Sequence, residues 1–102
     1  MIVVTGASRG LGRALTDRLI ESGEEVLGLS REAQDLPFES IACDVSDYEA
    51  VKTVAKKLKQ EKKELTGLVN AAGIASMNLA VTTPPTMTQK LIQTNLVGTI
   101  HC

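Results

Sequence analysis

Short apolar runs alternate with longer amphipathic segments along the 102 residues of the chain. The apolar runs predict four strands, at about residues 2–5, 25–29, 40–43 and 65–70, and the segments between them predict helices. Strands that alternate with helices in this way are typical of a parallel sheet built from βαβ units. The pattern therefore predicts an α/β fold with a Rossmann-like, doubly wound parallel sheet of about four strands.

Two of the predicted helices have a clear apolar face. The first begins at Leu11, ends near Gly23, and is expected to bury one row of side chains against the sheet. That row consists of Leu11, Ala14, Leu15 and Leu19. The stripe of the second helix consists of Val51, Val54, Ala55 and Leu58.

The helix starts are predicted from capping residues. Ser46 and Glu49 stand three positions apart and predict a capping box for the second helix. Thr86 and Gln89 predict another for a third helix, which runs from about residue 87 toward the end of the sequence.

A glycine-rich loop follows the first strand, where residues 5–12 read T-G-A-S-R-G-L-G. Such a loop presents free backbone N–H groups at the positive end of a helix dipole, where a pyrophosphate binds. Gly6 permits a tight turn, Gly10 lets a phosphate approach the main chain, and Gly12 lets the helix pack closely. The N–H groups around Gly10, Leu11 and Gly12 are therefore the predicted pyrophosphate ligands.

The spacing G-x-x-x-G-x-G resembles the cofactor loop of the short-chain dehydrogenase/reductase family, and three further motifs follow in that family's order. They are C-D-V at residues 43–45, L-V-N-A-A-G at 68–73 and T-N-L-V-G at 94–98. The resemblance spans the whole chain and implies strand order 3-2-1-4. It identifies residues 1–102 as the N-terminal part of a single Rossmann-type NADP(H)-binding domain, incomplete relative to a full dehydrogenase.

The same resemblance implies an oxidoreductase that interconverts carbonyl groups and alcohols on a small molecule. Asp44 and Val45 would meet the adenine, although an aspartate after a strand also commonly caps a turn. Asn70 is counted among the cofactor-binding residues, but it is expected to act mainly through hydrogen bonds that hold the sheet together. The residues expected to leave room for the nicotinamide ribose are Ala71, Ala72 and Gly73.

Two arginines decide the predicted cofactor. Ser8 and Arg9 lie in the loop where the family meets the adenosine ribose, and the second strand ends in Ser30 followed by Arg31. A site that prefers NAD(H) needs an acidic residue at the end of that strand, whereas guanidinium groups bind a 2′-phosphate well. We therefore predict NADP(H) over NAD(H); the alternative is that both arginines are ordinary surface residues.

The catalytic residues implied by the family are largely missing. Asn95 matches the asparagine that holds a water in the family's proton relay; alternatively it is a helix residue with a local hydrogen bond. No serine, tyrosine or lysine stands at a family position, because Tyr48 and Lys52 satisfy Y-x-x-x-K on the wrong helix. The 102 residues alone are predicted to be inactive. Other hypotheses are a short non-catalytic dinucleotide-binding module and, less favoured by the arginines, a Rossmann-like methyltransferase.

Charge, hydropathy and cysteine content indicate which kinds of partner and compartment to expect. A net charge of −1 disfavours nucleic acid, no apolar run is long enough for a membrane span, and no metal-ligand cluster can be assembled. Cys43 and Cys102 fit a reducing compartment, so we predict a cytoplasmic protein. An unpaired fourth strand and an apolar last helix predict self-association or poor solubility of the chain. The resemblance implies that this helix contributes to a subunit interface, so a homo-oligomer, a dimer or tetramer, is expected.

Overall fold

The structure, a computed structural model that describes residues 1–32, 35–74 and 83–102, is centred on a four-stranded parallel sheet. Its strands are β1 (Ile2–Thr5), β2 (Val26–Ser30), β3 (Ser40–Ala42) and β4 (Gly67–Asn70), in the order β3-β2-β1-β4. The predicted fold class and strand order are confirmed. The predicted boundaries were less accurate, since β2 and β4 begin later than expected and β3 ends one residue earlier.

Strand β1 lies in the middle of the sheet and aligns the ends of its neighbours. Thr5, its last residue, pairs with Leu29 of β2 on one side and with Asn70 of β4 on the other. Parallel strands in this register release their following loops at the same edge of the sheet. The loops after β1, β2 and β4 therefore meet at one place.

The helices lie on both faces of the sheet, as the doubly wound prediction requires. They are α1 (Gly10–Glu21), α2 (Tyr48–Gln60) and a C-terminal helix formed by α3 (Pro85–Ile92), a π-helical turn (Gln93–Val97) and α4 (Gly98–His101). Alternate residues of a strand point to opposite faces, so Val3 packs with Val54 and Leu58 of α2 whereas Val4 joins the cluster that includes Leu19 of α1. In the part of the chain that the structure describes, no helix is long and apolar enough to cross a membrane.

The face that α1 buries differs from the predicted row. Leu11 is 79% exposed and Ala14 is also exposed, whereas Gly12 and Thr16 are buried. The helix starts directly at the glycine-rich turn, so the residue without a side chain faces the sheet. The Thr16 hydroxyl donates to the Gly12 carbonyl at 2.7 Å, which satisfies its polar group in that buried position. In α2, Val54 and Leu58 are buried as predicted, but Ala55 is exposed.

The predicted capping box at α2 is wrong. Asp47 is the N-cap, and its Oδ1 accepts hydrogen bonds from the N–H groups of Glu49 at 3.0 Å and Ala50 at 3.4 Å. The hydroxyl of Ser46 donates instead to Asp44 Oδ1 at 2.7 Å. Asp44 closes a turn with Ser46 just before the helix. The N-cap is therefore Asp47, one residue after the predicted Ser46.

The predicted capping box at the third helix is also wrong. Helix α3 begins at Pro85, two residues before the expected start, and its N-cap Pro84 makes no side-chain hydrogen bond. Proline suits the first helical position because its missing N–H would have no intrahelical partner there. The box of Thr86 and Gln89 therefore lies inside the helix.

Candidate functional site

A cleft of about 350 Å³ lies at the carboxyl ends of the strands, where the loop after β3 joins the loops after β1, β2 and β4. It brings together every predicted cofactor residue except Asn70. These are Gly6, Ser8, Arg9, Gly10, Leu11, Gly12, Ser30, Arg31, Asp44, Val45, Ala71, Ala72 and Gly73. Leu29, Cys43 and Thr94 also line the cleft and were not predicted, although each is adjacent in sequence to a residue that was.

The glycine-rich turn is packed so closely that side chains are excluded at two positions. A Cβ on Gly6 would lie 2.7 Å from the Ala72 Cα, and a Cβ on Gly12 would lie 2.1 Å from the Gly6 carbonyl oxygen. Gly10 differs, because its φ of +63° requires a left-handed conformation while no atom lies within 4 Å of the position of its Cβ. The turn is thus tightly packed on its inner side and open where a ligand would approach.

The start of α1 leaves its N–H groups available. Arg9, the N-cap residue, makes no side-chain capping bond, and the first turn carries no acidic side chain. Free N–H groups at the positive end of a helix dipole attract anions. The geometry therefore suits an anionic ligand in the cleft.

Thr5 is a structural residue of the site that the sequence analysis missed. Its side chain is buried, and Oγ1 accepts hydrogen bonds from the N–H groups of Ala71 and Ala72, each at 3.1 Å. The hydroxyl lies 3.5 Å from the carbonyl oxygen of Val69, to which it donates. One side chain thereby joins the end of β1 to the loop after β4. A hydroxyl residue that ends an otherwise apolar strand was the available signal.

Asp44 combines the two roles that the sequence left open. Its Oδ1 accepts from the N–H of Ser46 at 3.0 Å and from the Ser46 hydroxyl at 2.7 Å, which is the turn-capping role. The residue also lines the cleft, and Oδ2 makes no hydrogen bond within the described ranges. One oxygen therefore holds the loop while the other remains available to a ligand. Val45 next to it is buried.

The two arginines line a smaller recess beside the cleft. This recess, of about 120 Å³, is lined by Ser8, Arg9, Arg31 and Glu32, and the first three of these residues also line the cleft. The end of β2 carries no acidic residue. Ser30 stands there, and its hydroxyl donates to the backbone carbonyl of Glu32 at 2.9 Å.

Neither of the two asparagines singled out in the sequence, Asn70 and Asn95, lines the cleft. Asn70 pairs with Thr5 through the sheet, and its exposed side chain makes no hydrogen bond to any part of the chain that is described. Asn95 lies in the π-helical turn, where its Oδ1 accepts from the N–H of Ile74 and its Nδ2 donates to the Ile74 carbonyl, both at 2.8 Å. The amide of Asn95 thus fixes the loop after β4 across 21 positions rather than making a local helical bond.

Of the remaining candidate residues, Tyr48, Lys52 and His101 lie outside the cleft, and Cys43, which lines it, has a thiol with a raised pKa. Neither Tyr48 nor Lys52 lines the cleft, and His101 contacts the outer side of its wall. Burial, with smaller contributions from the nearby Cys102, Asp44 and Asp47, raises the pKa of Cys43 from 9.0 to about 11. Over residues 1–32, 35–74 and 83–102, no group of three or more His, Cys, Asp or Glu side chains could hold a metal ion.

The chain belongs to the short chain dehydrogenase family, whose model matches residues 1–102. It is 33% identical to a farnesol dehydrogenase of Aedes aegypti, an alignment that covers 98% of this chain and 46% of that protein. This result confirms the family inferred from the four motifs.

Solved structures of the same class share the fold. A 4-hydroxyisoleucine dehydrogenase complexed with NADH and succinate matches with a TM-score of 0.89 and 30% identity, over 98% of this chain and 47% of that one. A variant of ElxO with NADPH bound matches with a TM-score of 0.89 and 28% identity, over 99% and 46%. The chain therefore spans a little under half the length of these relatives.

Proposed function

We propose that this chain is the cofactor-binding part of an NADP(H)-dependent oxidoreductase that interconverts carbonyl groups and alcohols on a small molecule. Family membership supports the reaction class, because the relatives are dehydrogenases. The observation that carries the cofactor preference is the recess shared by Arg9 and Arg31 beside the main cleft.

Each part of a dinucleotide would have its own set of residues in the cleft. The N–H groups of Gly10, Leu11 and Gly12 would hold the pyrophosphate at the open side of the turn, where no side chain competes. Oδ2 of Asp44 would accept a hydrogen bond from the adenine amino group, and Val45 would contact the ring. Small residues would leave space for the nicotinamide ribose, namely Ala71, Ala72 and Gly73. The bound cofactor would supply or accept hydride, while these residues bind and orient it.

The arginine recess would receive the 2′-phosphate. The relatives include one structure with NADH and another with NADPH, so the family alone leaves the choice open. Ser30 presents a neutral group at the end of β2, where a carboxylate would repel a phosphate. Two guanidinium groups can each give paired, charge-assisted hydrogen bonds to phosphate oxygens. Glu32, which shares the recess, would oppose them in part.

The proposal is tested by titrating the chain with NADPH and, separately, with NADH, following the nicotinamide fluorescence. We expect NADPH to bind at least about tenfold more tightly, because charge-assisted hydrogen bonds contribute roughly 1.5–3 kcal/mol. Arg31→Ala and Arg9→Ala should each remove most of this preference without weakening NADH binding. Arg18→Ala is the matched control, since Arg18 is exposed on α1 and lies outside the cleft. NADH binding as tight as NADPH binding would refute the preference.

Catalysis is proposed to need residues that this chain does not supply. Asn95 is the one position that matches the family's catalytic set, and its amide supports the cleft wall through Ile74. We expect the 102 residues to bind NADPH without oxidising it in the presence of small ketones or aldehydes. Consumption of NADPH, measured by absorbance at increasing chain concentration, would contradict this expectation.

We also propose that the protein is a cytoplasmic homo-oligomer. Ile92, Leu96 and Ile100 of the C-terminal helix are 52%, 58% and 72% exposed, and β4 is an edge strand of the described sheet. Exposed apolar groups beside an unpaired strand favour association between copies. Cys43 and Cys102 are free thiols, as in proteins of a reducing compartment. Sedimentation velocity should give a species larger than a monomer, and a monodisperse monomer would contradict the proposal.

A further inference from the structure

The loop that follows β3 is held from outside the cleft by the C-terminal helix. Gln93 Nε2 donates to the carbonyl of Ser46 at 3.0 Å, and His101 Nδ1 lies 2.9 Å from the carbonyl oxygen of Val45. A carbonyl only accepts, so Nδ1 of His101 carries the proton and donates. The helix therefore binds two consecutive backbone carbonyls of residues 44–47, which we call the adenine-side loop.

The same helix approaches this loop without any intervening side chain. A Cβ on Gly98 would lie 2.7 Å from Val45 Cγ2 and 3.2 Å from the Val45 carbonyl oxygen. Gly98 thus allows the helix backbone to press against Val45, which is buried. The close approach brings His101, one turn further along the helix, within hydrogen-bonding distance of the loop.

The imidazole of His101 is also held by the aromatic ring of Tyr48. The Tyr48 ring stacks on the imidazole, with 5.4 Å between the ring centroids and 26° between the planes. Tyr48 begins α2, directly after the N-cap Asp47, so it is itself fixed to the end of the loop. Stacked aromatic pairs contribute beyond their buried area. The imidazole is therefore oriented by one contact and bonded to the loop by another.

We propose that Gln93, His101 and Tyr48 are positioning residues that hold Asp44 and Val45 in the orientation that recognises adenine. This inference rests on the proposed function, since it assigns the adenine to this wall of the cleft. The hydrogen bonds of the loop to itself, from Ser46 to Asp44, fix its local turn but not its place relative to the cleft. The Cys43 N–H donates to the Ser30 carbonyl at 2.7 Å and anchors the start of the loop to β2. The three side chains constrain the rest of the loop, and a wall held in the binding geometry loses less entropy when a ligand arrives.

The test compares two ligands that differ only at the adenine. They are NADPH and its analogue with hypoxanthine in place of adenine, which has no amino group to donate to Asp44. We expect His101→Ala to weaken NADPH binding about fivefold, the effect of one net hydrogen bond, and to weaken binding of the analogue less than about twofold. A general loosening of the fold would weaken both ligands by the same factor.

Two replacements separate the contributions of His101. His101→Asn keeps an N–H near the position of Nδ1 and should restore most of the NADPH affinity, whereas His101→Phe keeps the ring and should not. Thr99→Ala is the matched control, because Thr99 is exposed on the same helix and its hydroxyl donates to the Asn95 carbonyl rather than to the adenine-side loop. Gln93→Ala, which removes an exposed hydrogen bond, should give a smaller loss with the same dependence on adenine.

The outcomes distinguish this inference from the proposed function. If the unmodified chain binds neither NADPH nor NADH, the proposed function fails. If it binds NADPH and His101→Ala changes the affinity for both ligands equally, or for neither, the positioning role is wrong while the function stands. If His101→Ala does not fold, as judged by urea unfolding, Gln93→Ala decides the question by the same pair of titrations.

Discussion

The glycine-rich turn at residues 5–12 and the adenine-side loop at residues 44–47 line the same cleft but are built differently. The turn is held by backbone packing, in which Gly12 lies against the Gly6 carbonyl and Gly6 lies against Ala72. The loop is held by side chains, both its own, from Asp44 and Asp47, and those of residues 47 and 56 positions away. The turn depends mainly on glycines that lack side chains, with Thr5 as an anchoring side chain, whereas the loop depends mainly on side-chain hydrogen bonds, with Gly98 allowing the helix to approach.

This difference determines how each region tolerates change. A Cβ added at Gly6 or Gly12 meets backbone atoms that cannot move without displacing a strand, so the effect is large. A side chain removed from the loop costs one hydrogen bond, and water can take its place at the exposed positions. Substitutions in the turn should therefore act on folding, and substitutions around the loop should act first on local order and binding.

The largest effect is expected for Gly12→Ala. Its Cβ would lie 2.1 Å from the Gly6 carbonyl oxygen, so the turn or α1 must shift. We expect a loss of about 3 kcal/mol or more in the free energy of unfolding, at the upper end of overpacking effects. Gly23→Ala is the control, because Gly23 has a φ of +86° but open space around its Cβ and should cost only about 1 kcal/mol. Urea unfolding followed by circular dichroism measures both, and equal losses would contradict the packing argument.

The sequence predicted the turn well and the loop poorly, for the same physical reason. Glycine spacing records a local backbone constraint, so the pattern of Gly6, Gly10 and Gly12 could be interpreted without knowing the fold. The contacts of His101 and Gln93 join residues far apart in sequence, and nothing in their immediate surroundings indicates a partner. The prediction of the α2 cap depended on contacts a few residues apart and was wrong. The turn that Asp44 closes with Ser46 moves the cap from Ser46 to Asp47.

The four strands and their order were predictable because buried parallel strands form continuous apolar runs and the motifs occur in a fixed order. The buried face of α1 was not. Its prediction assumed that the most hydrophobic row packs inward, yet Leu11 lies at the cleft because the helix begins at a glycine contact. In the first turn of α1, the contact of Gly12 with the glycine-rich turn, rather than the amphipathic pattern, determines which face is buried.

The second prediction concerns Thr5, which connects the turn to the loop after β4. Thr5→Val removes the acceptor of the N–H groups of Ala71 and Ala72 while keeping the shape of the side chain. An unsatisfied buried donor costs about 1–3 kcal/mol, so we expect a loss of about 2 kcal/mol in unfolding free energy. Thr5→Ser keeps the hydroxyl and should lose about 1 kcal/mol for the missing methyl group. Greater damage from serine than from valine would show that packing, rather than the hydrogen bonds, makes Thr5 important.

The third prediction concerns the loop itself. Asp47→Ala removes the N-cap of α2 and should destabilise the chain by about 1 kcal/mol, whereas Asp47→Asn retains an oxygen acceptor and should be nearly neutral. Hydrogen exchange should become faster at the N–H groups of Glu49 and Ala50 in the alanine variant. If Ser46→Ala speeds exchange at these two groups more than Asp47→Ala does, the capping box predicted from the sequence would be correct after all.

The smallest contribution to stability at neutral pH is expected from ionisation of the Cys43 thiol. Cys43 precedes the adenine-side loop and lines the cleft. Burial, followed by repulsion from Cys102, Asp44 and Asp47, raises the pKa of its thiol from 9.0 to about 11. The unfolded chain therefore loses this proton first as the pH rises. The thiol contributes no pH dependence of stability below about pH 9, and the folded state loses stability as the pH rises from there through about 11.

Alkylation of Cys43 separates this pKa from simple shielding. At pH 8 the thiolate fraction in the folded chain is about one hundredfold lower than at a pKa of 9.0, so iodoacetamide should react correspondingly more slowly than in urea. Shielding alone would lower the rate by the same factor at every pH. A raised pKa instead keeps the folded-state rate climbing through pH 10, after the rate in the unfolded chain has levelled off. Alkylation is measured by mass spectrometry of the Cys43 peptide. If the rates in the folded and unfolded chains change in parallel with pH, limited access rather than a raised pKa protects the Cys43 thiol.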